Sequence, residues 1–243
     1  MIIINADDWG GNRAATDAAL YCYRGGGITS VTAMVFMDDS ARAAELARDA
    51  DIPVGLHLNL SQPFTGDCGH GLLREYHNRI VRFMTRSRYS FLMYNPALRR
   101  AFQYIYQAQA DEFLRLYGRS HTHVDGHHHL HLCANMLIDG IIPPGEKVRR
   151  NFVFWPDEKG ALNRELRSFQ DRWLQKKYRL ADFFVALPQC LHTGRMTRVI
   201  ELAKVANVEV MAHPVRPDER DYLLSKMHWD MLQEIDKGTY ASI

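Results

Sequence analysis

Residues 121–131 read HTHVDGHHHLH and hold six of the chain's twelve histidines. Neutral imidazole is a common metal donor, and its pKa lets it carry protons near pH 7. If 121–125 is extended, His121, His123 and Asp125 face one way while Thr122 and Val124 face the other. Gly126 then permits a turn. His127 and His131 share a face if a helix starts there, and His127 and His129 share one if the strand continues. Either conformation gathers imidazoles at one spot. Six cannot bind one ion, so some must orient ligands through their second ring nitrogen or meet a substrate. Spacing alone leaves open whether His127, His129 or His131 is the ligand.

Other segments offer partners. NADDWG at 5–10 places Asp7 and Asp8 where an apolar run ends. Adjacent side chains on a strand point different ways, so one carboxylate can hold a cation while the other handles a proton. The alternative for an aspartate here is a helix cap. His57 sits in VGLHLNL, where a core histidine is the commoner outcome. His213 closes the apolar run EVMAHPV before Pro214, a position suited to a general acid or base. Of Arg149 and Arg150, one points inward if KVRRNF is a strand, and would lower a neighbouring carboxylate's pKa.

These groups need a scaffold that brings distant segments together. MIIINA (1–6), ITSVTAMVF (28–36) and PVGLHLNL (53–60) read as strands, with helices over about 13–24 and 38–50 between them. Strand–helix alternation implies parallel strands with helices outside. Further strands are expected at 121–125, 147–154, 181–187 and 208–215, and further helices at 97–118, 161–177, 195–205 and 219–236. The expected fold is α/β, a distorted barrel of about seven parallel strands, in one domain over 1–243. Segment 61–96 breaks the rhythm with Gly, Pro, aromatic and arginine residues and reads as an irregular insertion. In such a barrel, sites form where loops converge at the strands' C-terminal ends.

Bulk properties exclude some classes. The chain has 243 residues and net charge +2, so no strong field draws it to nucleic acid or anionic lipid. The four cysteines form no CxxC pair, which implies free thiols, and no apolar run spans a membrane. A cytoplasmic location and a small-molecule substrate are expected; a homodimer is compatible with the sequence.

Taken together, NADDWG, GLHLNL, HVDGHHHLHL and EVMAHP resemble the YdjC-like carbohydrate deacetylases in order and spacing. The resemblance implies removal of an acetyl group from an N-acetylated sugar with one divalent ion, zinc or magnesium. It also implies Asp8, His57 and His127 as metal ligands, Asp7 as base, His213 as acid and Arg149 as the arginine beside them. Two departures stand out: Val215 follows the late His-Pro where the family usually has Gly, and Trp9 stands where Phe is common. Trp9, Phe64, Tyr76 and the arginines of 61–96 are candidates for a sugar groove. Rival readings are a two-metal phosphoesterase on a barrel and a non-catalytic metal-binding protein.

Overall fold

The structure, a computed structural model, describes residues 1–69, 71–155 and 160–243. The opening β-branched run forms β1 (Ile2–Trp9). Asn12 accepts the N–H of Ala15 and so caps α1 (Arg13–Arg24). Next come β2 (Ser30–Ala33), α2 (Ser40–Asp49) and β3 (Val54–Leu58). After α3 (Gly71–Thr85) and α4 (Arg99–Tyr117), β4 (Val124–Gly126) leads into a 3-10 segment over His127–Leu132. Helices α5 (Ala134–Ile138) and α6 (Ala161–Gln175) precede β5 (Phe183–Ala186). The remainder is α7 (Leu187–Thr193), α8 (Met196–Ala203), β6 (Val208–Ala212), α9 (Pro217–Leu223) and α10 (Lys226–Leu232).

The strands lie in the order β4-β3-β2-β1-β6-β5, and every pairing is parallel. The sheet curls into a half-barrel with helices outside, because parallel neighbours require crossovers and these are helical. Alternation along each strand sorts the side chains. Ile2, Ile4, Ala6, Val31, Ala33, Val54, Leu56, Leu58, Val208, Val210 and Ala212 join the main apolar core. The intervening Asn5, Asp7, Ser30, Thr32, His57 and Glu209 occupy the other face, and they too are buried. The half-barrel therefore carries a polar interior. Gly55 makes room in it: a Cβ there would lie 2.5 Å from the His123 ring.

The strand count corrects the expected seven to six among the described residues. Segment 147–154 forms single bridges only, Val148 to Val124 and Lys147 to Arg179. Its neighbour β4 is three residues long, so no edge exists for a longer ladder. Side chains anchor the segment instead, Arg149 to Asp7 and Arg150 to Asp171.

Segment 61–96 also differs from the irregular stretch expected, since it carries α3 and a short 3-10 turn at Ser90–Leu92, with a second turn beginning at Pro96. Leu73, His77, Ile80 and Met84 are the buried stripe of α3, at helical spacing. All four cysteines are buried and free. Among the described residues, no helix is long and apolar enough to cross a membrane.

Candidate metal centre and active site

The ladder between β1 and β2 shifts register between Ala6 and Trp9. Within that irregularity Asp8 adopts a left-handed backbone, φ 64°, a conformation that costs most residues about 1–2 kcal/mol and that aspartate tolerates better than most. Asp7 is left almost wholly buried, whereas the Asp8 side chain keeps 22% exposure. Two adjacent carboxylates thus meet different surroundings.

Asp8 Oδ1 lies 3.2 Å from His57 Nε2 and 2.9 Å from His127 Nδ1. On its other oxygen, Oδ2 is 3.9 Å from His213 Nε2. Oxygen and nitrogen ligands placed about 2.0–2.1 Å from one ion stand roughly 2.9–3.4 Å apart. The spacing among Asp8, His57 and His127 therefore fits a shared small divalent cation. His57 is held ready to ligate, since its Nδ1 is 2.7 Å from Asp125 Oδ1, which fixes the ring and leaves Nε2 facing Asp8. Burial opposes charge on His57, but Asp125 and the other nearby carboxylates hold its pKa well above the ordinary value. Burial likewise works against charge on Asp8, and the two imidazoles overcome it, keeping its carboxyl far below the carboxylate range.

Beneath this group lies an ionic network. Arg149, fully buried, donates to both Asp7 oxygens at 2.7 Å and lies 2.6 Å from Asp125 Oδ2. Its Nε donates to Glu209 Oε1 at 2.8 Å. Asn5 donates to Asp7, and the single Thr32 hydroxyl proton lies between Asp7 and Asp125, at oxygen separations of 3.3 and 3.1 Å. Tyr240 donates to Glu209 Oε2 at 2.5 Å, while its ring stacks on His123. Burial pushes the Asp7 carboxyl up, and Arg149 more than reverses this, so Asp7 is held ionised. Asp7, His57 and Asp125 form a second close donor group, but Arg149 engages both carboxylates.

The histidine tract is divided rather than pooled. His127 reaches Asp8, and His128 Nδ1 lies 3.0 Å from Ser61 Oγ. His131 Nε2 donates to the carbonyl of Arg149, so it braces the arginine from the far side. His121 lies 3.4 Å from Glu146. Of His121, His123 and Asp125, the last two enter the polar interior, His123 on Tyr240 and Asp125 on His57 and Arg149, whereas His121 lies apart against Glu146 and Phe113. His213, on the loop after β6, is anchored by its backbone N–H, which donates to Glu219.

Of the residues read from sequence, Asp7, Asp8, His57, His127, Arg149 and His213 form one connected group. Thr32, Asn5, Glu209 and Tyr240 escape a reading of the sequence. Glu209 carries a signal, a lone carboxylate at an inward position of the apolar strand VEVMA. The suggested sugar-groove aromatics lie elsewhere: Trp9 is buried with its indole N–H on Ala43 O, Phe64 stacks on His77, and Tyr76 packs edge-on against Tyr104.

The profile of the YdjC-like protein family matches residues 1–238. The chitooligosaccharide deacetylase of Citrobacter koseri is 31% identical over 254 residues, spanning 100% of this chain and 92% of the relative. That of Serratia marcescens is 29% identical over the same shares, and the mouse carbohydrate deacetylase 27% over 89% of this chain and 78% of its own. A solved Enterococcus faecalis V583 protein, provisionally named for cellobiose-phosphate cleavage, superposes with TM-score 0.72 at 18% identity, covering 99% and 97% of the two chains. That last likeness concerns the fold. Full-length agreement of profile and relatives, with the four motifs in one site, makes this chain a member of the YdjC-like protein family.

Proposed function

We propose that the protein removes an acetyl group from an N-acetylated sugar or oligosaccharide, using one divalent ion held by Asp8, His57 and His127. The observation that carries the reading is the Asp8 carboxylate within 3.2 Å of both imidazoles, with His213 3.9 Å away and Asp7 grouped with His57 beneath it. A bound ion there supplies Lewis acidity and makes a water nucleophilic near neutral pH. Asp7, kept ionised by Arg149, accepts the proton of the attacking water. Asp125 holds His57 in the required tautomer. His213, on the open side of Asp8, gives a proton to the departing sugar nitrogen.

Two imidazoles and a carboxylate suit zinc, and magnesium is the second choice. The whole chain acts as one catalytic domain. Four free buried thiols suit a cytoplasmic setting. A two-metal phosphoesterase is less well supported, because Arg149 occupies the carboxylates that a second ion would need. Acetate and phosphate release from N-acetylglucosamine oligomers and phosphate esters, with zinc or magnesium added, tests the choice. Acetate release lost in Asp7→Asn is expected; phosphate release alone contradicts the proposal.

A further inference from the structure

Two cavities flank the His127–His129 turn. The larger, about 460 Å³, is lined by Phe91, His128, His129, Phe152 and Phe184 among others. The smaller, about 100 Å³, is lined by Asp8 and His127 together with Ala15, Met34 and Val215. Successive histidines thus face different spaces. The backbone explains the split: His128 and His129 both adopt left-handed conformations, φ 54° and 58°, so the chain turns sharply just after His127. Two such residues in a row are strained, and strain of this kind gathers at functional sites.

Resting on the deacetylase reading, the scissile amide must lie against Asp8 and His127, between these cavities. Its two ends differ greatly in size. A sugar carries a ring with several hydroxyls, and an acetyl group ends in one methyl. Only the larger cavity suits the ring, and its aromatic lining suits a sugar's apolar face. Ala15, Met34 and Val215 give the smaller cavity an apolar side beside the proposed ligands, and Gly11, Asn12 and Gln62 complete its lining. Met34 and Ala15 are backed by the protein interior, being 2% and 4% exposed. Val215 forms the rim at 42% exposure. The wall leaves little slack: a Cβ on Gly11 would stand 3.1 Å from Met34 Sδ.

We propose that this small cavity receives the acyl group, and that Val215, with Met34, limits the acyl chain to acetyl. Val215 is then a specificity residue, and glycine at that position opens the rim. A misfitting methylene in an apolar pocket typically changes kcat/KM about 10–200-fold.

The test compares N-acetyl, N-propionyl and N-butyryl glucosamine oligomers across wild type, Val215→Gly and Val215→Leu. In parallel, nuclear Overhauser contacts of the acetate methyl are recorded in zinc-loaded wild type. Wild type is expected to favour acetyl over butyryl by more than about tenfold. Val215→Gly should cut that ratio about tenfold, and Val215→Leu should raise it. Acetate should touch the methyls of Val215 and Met34. An unchanged ratio in both variants, or acetate contacts to the Phe152 side instead, overturns the assignment. Should wild type release no acetate from any sugar, the deacetylase reading fails, and the acetate contacts alone still decide the pocket.

Discussion

Asp125 Oδ1 sits 2.7 Å from His57 Nδ1, with both side chains buried and His57 Nε2 aimed at Asp8. The aspartate touches no open cavity, so it acts through the histidine. Replacing such an outer partner costs metal affinity rather than abolishing binding. Asp125→Asn should weaken zinc binding about 10–100-fold, read by competition with a chelator of known affinity.

Arg149 is a single guanidinium paired with three buried carboxylates, Asp7, Asp125 and Glu209. Removing one partner of a buried ion pair leaves uncompensated charge, at a cost of about 3–5 kcal/mol. Arg149→Met should lower unfolding stability by at least that amount in urea titration. It should also abolish acetate release in whatever fraction remains folded, since Asp7 loses the group that orients it.

The buried histidines set an acid limit. Burial lowers His77 to about 4, His123 to about 3 and His131 to about 4, against an ordinary value near 6.5. Each is neutral when folded and charges on unfolding in mild acid, so the unfolded chain binds more protons. Their contribution is complete above about pH 6.5 and is lost as pH falls toward their folded values. His57 has the opposite sign: with its pKa raised, its contribution is present below about 6.5 and lost as pH climbs through the folded value. Between about pH 6.5 and pH 4 His57 is protonated in both states and adds no slope, whereas His129, lowered by burial to about 3, acts in the same sense as the other three. Stability of the metal-free protein should therefore decline from about pH 6.5 to about pH 4, and His123→Phe should reduce the proton uptake on unfolding by about one. Urea midpoints across that range check it.

Tyr240 reaches into the polar interior and donates to Glu209, whose own pKa is raised by burial despite Arg149. A hydrogen bond to a charged group is worth about 1.5–3 kcal/mol. Tyr240→Phe keeps the stack on His123 and should lose stability of that size, measured by urea unfolding.

Much of this was legible from particular residues. The β-branched start, the His57 strand and the glycine after Asp125 mark three of the strands, whereas the grouping of Asp8, His57 and His127 comes only from the family resemblance, since spacing leaves His127, His129 and His131 equal. Helix α3 was obscured because arginines surround its buried stripe and His77 interrupts its apolar pattern, although Leu73, His77, Ile80 and Met84 keep helical spacing. The seventh strand was overread because KVRRNFVF has strand composition, whereas its arginines are committed to carboxylates on other elements. Partners such as Glu209 and Tyr240 are 31 residues apart and meet only in the folded chain. No local pattern encodes that meeting.

Metal stoichiometry and affinity tie these observations to chemistry most directly. Zinc titration by calorimetry should give one ion per chain in wild type. Asp8→Asn keeps a residue that tolerates the left-handed backbone but removes the charge, and it should bind far more weakly, as should His57→Ala and His127→Ala. Acetate release should fall in parallel. One tight ion retained in all three variants, or two ions per wild-type chain, contradicts the shared site.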